Sequence, residues 1–61
     1  MNLELRQRLI DFIEKEGVNQ KHICSQIKIN QALLSRFKNQ KYELNLIEAE
    51  SLDEYLKSKG Y

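Results

Sequence analysis

Residues 17–39 read GVNQKHICSQIKINQALLSRFKN. Two helix starts are written here in the same way: an apolar residue, then Asn, then a helix-forming run. Val18-Asn19 precedes one and Ile29-Asn30 the other. Asn makes a good N-cap because its side-chain oxygen accepts from an otherwise free N–H of the first turn. The apolar residue before it can staple onto the fourth helical residue, here Ile23 and Leu34. The spacing predicts a helix over 20–27, with Ile23, Cys24 and Ile27 inward. It predicts a second over 31–39, with Leu34 and Phe37 inward and Leu33 at the edge. Lys28, Ile29 and Asn30 form the turn between them. Two short helices on so short a turn must cross steeply rather than run antiparallel.

Outward from this stretch, Leu44-Asn45 repeats the start signal. It predicts a helix from Leu46 to about Lys59, with Leu46, Ala49, Leu52 and Leu56 inward. Ala49 is a weak staple, but Asn45 with Glu48 three residues on resembles a capping box. Upstream, Leu5, Leu9, Phe12 and Ile13 share one helical stripe and predict a helix over 3–16. Gly17 supplies the left-handed residue that ends it, with Val18 folding back on Ile13 as in a Schellman cap. No linker or low-complexity run interrupts the chain. The expected fold is all-α: one compact domain of four helices over residues 1–61.

The chain has 61 residues, no Pro and one Cys. A chain this short buries only about 60% of its unfolded surface, so its core is marginal. Cys24 has no disulfide partner and is expected as a small buried residue. His22 and Cys24 are the only strong N/S ligands and are split across a helix by their spacing, so neither a structural zinc site nor a cofactor is expected. No apolar run is long enough for a signal peptide or a membrane span, so a cytoplasmic protein with no membrane partner is expected.

The net charge of +1 hides an asymmetry. Segment 17–42 carries Lys21, Lys28, Arg36, Lys38 and Lys41 and no acid, for +5. Segment 1–16 sums to −1 and segment 43–61 to −3. A positive middle between acidic ends gives one positive face if the middle folds as a unit, and such a face suits a polyanion.

With Leu34 and Phe37 inward, the outward set on the 31–39 helix is Gln31, Ala32, Ser35, Arg36 and Asn39. Ala32 and Ser35 are short and let another body approach the backbone. The amide and guanidinium groups around them match the duplex major groove. Gln pairs with adenine N6 and N7, Arg with guanine O6 and N7, and Ala meets a thymine methyl. Lys38, Asn39, Lys41 and Tyr42 follow at the helix end, where phosphate contacts would hold the register. Gln20 opens the preceding helix, whose N–H groups and dipole favour a phosphate. A carboxylate near this face would repel phosphates at close range, which accounts for the missing acids.

Residues 17–39 resemble the helix-turn-helix of the Cro and phage-repressor (Xre-like) family of DNA-binding regulators. Gly17, Val18, Asn19, Gln20, Ile23, Cys24, Ile27, Ile29, Asn30, Leu34, Ser35, Arg36, Phe37 and Asn39 stand at the motif's places. Leu9, Phe12, Leu46, Ala49, Leu52 and Leu56 fall where that family packs its flanking helices. The resemblance implies a lambda-repressor-like domain. Gln31, Ala32 and Arg36 would face the bases with Ser35 near the groove floor, and Gln20, Asn39, Lys41 and Tyr42 would face the DNA backbone. Three positions depart from the pattern. Lys28 replaces the usual turn Gly, at about 1 kcal/mol if it is left-handed. Cys24 replaces Ala, and Gln40 replaces the Gly after Asn39, so Asn39 or Gln40 must end that helix. A fifth helix has no counterpart before Tyr61, so the domain is expected to be shortened at its C-terminus. A dimer surface is then sought in Ile47, Tyr55 and Tyr61.

The expected function is a sequence-specific double-stranded DNA-binding transcriptional regulator. It would be a Cro-like repressor from a phage or mobile element, homodimeric on a pseudo-palindromic operator and associated with the bacterial nucleoid. No small-molecule effector is expected. Catalysis is not expected either, because no Ser–His–acid set, paired carboxylates or phosphate-binding Gly loop stands out. Two other readings suit the same fold: a protein-binding module such as an antirepressor or antitoxin, using the acidic last helix, and an excisionase-like DNA-bending factor.

Overall fold

Asn19, Asn30 and Asn45 each cap a helix. In the computed structural model, which describes residues 2–61, their side-chain oxygens accept from the N–H groups of Lys21 (2.7 Å), Ala32 (2.7 Å) and Glu48 (2.8 Å). Glu48 returns the bond by accepting from the Asn45 N–H at 3.0 Å, which completes the capping box. Each such cap contributes about 1 kcal/mol. The helices are α1 (Asn2–Glu16), α2 (Gln20–Ile27), α3 (Gln31–Lys38) and α4 (Leu46–Ser58).

The helix ends use left-handed residues, two of which carry a Cβ. Lys28 ends α2 at φ 58°, with its N–H donating to the Cys24 carbonyl at 2.8 Å. Gln40 ends α3 at φ 65° in a Schellman motif. Its N–H donates to the Phe37 carbonyl (3.1 Å), and the Lys41 N–H donates to the Arg36 carbonyl (2.7 Å). Gly60 does the same for α4. The end of α1 differs from the sequence expectation. Gly17, at φ 64°, donates to the Ile13 carbonyl at 2.9 Å, the single bond of the simpler left-handed cap rather than the Schellman pair.

One core joins the four helices. α1 supplies Leu5, Leu9 and Phe12, α2 Ile23, Cys24 and Ile27, α3 Leu34 and Phe37, and α4 Ala49, Leu52 and Leu56. Ile29 and Leu44, the apolar residues of two start signals, are buried with them, while Val18 and Ile13 are half-buried at the edge. Leu46 was expected inward and is 69% exposed. It lies about 100° round α4 from the Leu52–Leu56 direction. Leu44, just before the cap, fills the core at that end instead.

α1 is fixed beside α4 at both ends. Asn2 accepts from the Leu44 N–H (3.0 Å) and donates to the Leu44 carbonyl (3.4 Å). At the other end Phe12 meets the rings of Tyr55 (5.8 Å) and Tyr61 (5.2 Å) edge-on. α3 packs on α1 and α2, which leaves its opposite face to solvent. Among the described residues no helix is long and apolar enough to cross a membrane.

Candidate nucleic-acid interface

The side chains singled out on α3 share its solvent face. Gln31, Ala32, Arg36 and Asn39 are exposed and Ser35 is half-buried, whereas Leu34 and Phe37 are fully buried beneath them. The face follows from the cap. Asn30 starts the helix, and the burial of Leu34 and Phe37 at i and i+3 fixes its rotation. Lys41 is exposed just past the helix and Lys38 is half-buried. The Schellman bond from the Lys41 N–H to the Arg36 carbonyl ties these two cationic residues through one turn. Gln20, half-buried, opens α2 next to the Asn19 cap.

The ion pairs divide the charges sharply. Among the described residues they are Arg6–Glu43, Arg8–Glu4, Arg8–Asp53 and Lys57–Asp53. Each joins cations and acids outside segment 17–42. Among the described residues, Lys21, Lys28, Arg36, Lys38 and Lys41 have no carboxylate within ion-pair distance. In particular, Arg36 is not tied to an acid of α1 or α4.

Tyr42 is placed differently from a free phosphate donor. It is half-buried against the core, and its O–H donates to Glu48 at 3.0 Å. That bond raises the phenol pKa above its ordinary value, with burial and the carboxylate's charge adding to it. A phenol has one proton to donate, and here it braces the 42–48 turn. The residues considered for a dimer surface also separate. Tyr55 and Tyr61 pack on Phe12, and the Tyr61 O–H donates to Glu16 at 2.7 Å. Ile47 is 77% exposed, with Leu46 exposed beside it.

Arg6 is a structural residue outside the set that the charge and motif pattern singles out. It is buried, and its Nε–H donates to the Phe37 carbonyl at 2.6 Å. Its place in the apolar stripe of α1, three residues before Leu9 and seven before Ile13, signals its burial but not its partner. Cys24 is buried as expected, and burial raises its thiol pKa above the ordinary value. No protein-family model, curated protein or solved structure matches this chain.

Proposed function

We propose that this chain is a sequence-specific double-stranded DNA-binding transcriptional regulator, a Cro-like repressor of a phage or mobile element acting on DNA in the bacterial cytoplasm. α3 lies in the major groove. Gln31 and Arg36 read base edges there, Ala32 meets a thymine methyl and Ser35 sits near the groove floor. Gln20, Lys38, Asn39 and Lys41 hold the phosphates. The observation that carries this reading is the charge division: the acid-free segment 17–42 holds five cations outside every ion pair among the described residues, and three of them, Arg36, Lys38 and Lys41, lie on or just past α3, whose outward face otherwise carries amides and short residues. A second copy of the chain occupies the other half of a pseudo-palindromic operator.

Titration with random-sequence duplex at several salt concentrations tests the reading. Binding is expected, with log K falling linearly against log salt by about 0.9 per phosphate neutralised. Absence of duplex binding at low salt would refute it and leave the protein-binding reading of the fold.

A further inference from the structure

We infer that Arg6 is a positioning residue for the interface: its buried guanidinium sets the turn that carries Asn39 and Lys41. The inference rests on the DNA-binding reading above and names a residue of α1, distant in sequence from the groove-facing side chains, on which that reading depends.

Arg6 is 6% exposed and is the charged residue buried among the described ones. Burying a charge is unfavourable unless it is paired and hydrogen-bonded. The partners of Arg6 all belong to one segment. Its Nε–H donates to the Phe37 carbonyl (2.6 Å), its guanidinium carbon lies 4.8 Å from the Phe37 ring centre, and an Nη approaches Glu43 at 3.6 Å. One side chain thus brackets residues 37–43, with the last-turn carbonyl at one end and a carboxylate at the other.

The bracketed segment has a reason to need holding. It includes Gln40, left-handed with a Cβ, at φ 65°. The same Phe37 carbonyl that accepts from the Arg6 Nε–H also accepts from the Gln40 N–H at 3.1 Å. The unsatisfied carbonyls at a helix C-terminus concentrate negative charge, so a guanidinium fixed there is attracted as well as hydrogen-bonded. The next N–H, that of Lys41, closes the bond to the Arg36 carbonyl. The Arg6 contact therefore reaches the residue that places the Lys41 side chain relative to Arg36. An apolar side chain could fill the same volume without the desolvation cost. What the planar, forked guanidinium adds is direction.

The test compares the full-length chain with Arg6→Met and Arg6→Lys. Amide hydrogen exchange is read by NMR, and duplex affinity is measured across salt. In both variants the Gln40 and Lys41 amides are expected to exchange about tenfold or more faster relative to the core amides of α4. The salt slope of duplex binding is expected to fall by about 1, from loss of the Lys41 phosphate contact. A uniform rise in exchange with the slope unchanged would make Arg6 a stabilising residue only. Full recovery by Arg6→Lys would show that charge suffices and overturn the directional claim. The wild-type protein gives a check that needs no variant: the Arg6 Nε–H should be protected from exchange, and a freely exchanging Nε–H overturns the inference. If the wild type binds no duplex, the DNA reading fails, while exchange at Gln40 and Lys41 still decides whether Arg6 orders the turn.

Discussion

The Arg8 guanidinium of α1 lies 2.6 Å from the Asp53 carboxylate of α4. Arg8 also donates to the Tyr61 carbonyl at 2.7 Å, and Lys57 approaches the second Asp53 oxygen at 3.2 Å. The hydrogen bond from Arg8, then that from Lys57, hold the Asp53 carboxyl below its ordinary pKa despite partial burial. A carboxyl with a depressed folded-state pKa stabilises the fold fully above its unfolded value, about 3.9, and stops doing so as pH falls through the folded value. Wild-type melting temperature is therefore expected to drop more steeply below about pH 4 than that of Asp53→Asn, which should already be less stable at neutral pH. Parallel melting curves for the two across pH would mean the pair does not stabilise the fold.

Backbone strain gives a pair of predictions of opposite sign. Lys28 and Gln40 are left-handed with a Cβ, whereas Gly17 is left-handed without one. Lys28→Gly and Gln40→Gly are each expected to stabilise by up to about 1 kcal/mol, and Gly17→Ala to destabilise by a similar amount. Nothing lies within 4 Å of a Cβ at Gly17, so its cost would be conformational alone. Thermal melts should resolve this, since about 1 kcal/mol moves Tm by roughly 4–8 °C in a domain this small. A lower Tm for Lys28→Gly would contradict the strain assigned to that turn.

The fold was legible because its signals are local. Asn19, Asn30 and Asn45 mark starts with an apolar residue before them, and those starts hold to the residue. Gly17 marks a stop in the same way. What the sequence hid depends on contacts between distant residues. Leu46 looked like the first member of the α4 stripe, but whether an edge residue is covered depends on what packs beside it, and Leu44 fills that place. Tyr55 and Tyr61 looked like surface aromatics, yet both close on Phe12, more than 40 residues earlier. Arg6 read as one more charge because no local pattern brings a cation in α1 to the last carbonyls of α3. The outward set of α3 was legible, since two large apolar residues on an eight-residue helix fix its rotation.

Arg36→Ala and Gln31→Ala are each expected to weaken binding to the best duplex selected from a random pool by about 1–3 kcal/mol, and to relax preference at particular base pairs. Both side chains are exposed, so fold stability should stay within about 0.5 kcal/mol. Selection repeated with each variant reads the preference directly. A variant that keeps full affinity and an unchanged preferred sequence is not missing a base reader.

Lys41→Ala should act without regard to sequence. The side chain is exposed and lies just beyond α3, where the proposed docking would set it against a phosphate rather than a base edge. Affinity is expected to fall about equally for selected and random duplexes, with the salt slope reduced by about 1. Lys38→Ala should show a smaller effect of the same kind, because that residue is half-buried. A loss confined to the selected sequence would reassign Lys41 to base contact.

Eight residues make α3 about 12 Å long, enough to follow only about four base pairs of groove. So short a site cannot be selected from a genome, so on the proposed reading specific regulation would require two copies on half-sites about one helical turn, roughly 34 Å, apart. Tyr55 and Tyr61 are occupied within the monomer, and the exposed aliphatic side chains of α4 are Leu46 and Ile47, at its start. Placing the contact there also keeps it within a few residues of the turn that follows α3, so contact between copies would fix the spacing of the two α3 helices. Ile47→Glu puts a charge at this surface while leaving the core untouched, which Tyr55→Glu would not, given the edge-on contact of Tyr55 with Phe12. The expected result is a drop of about tenfold or more in affinity for the full palindrome and little change for a single half-site, since the variant loses coupling between copies rather than groove contacts. Equal losses on both duplexes, or no loss on either, would remove the start of α4 as the surface that joins the copies.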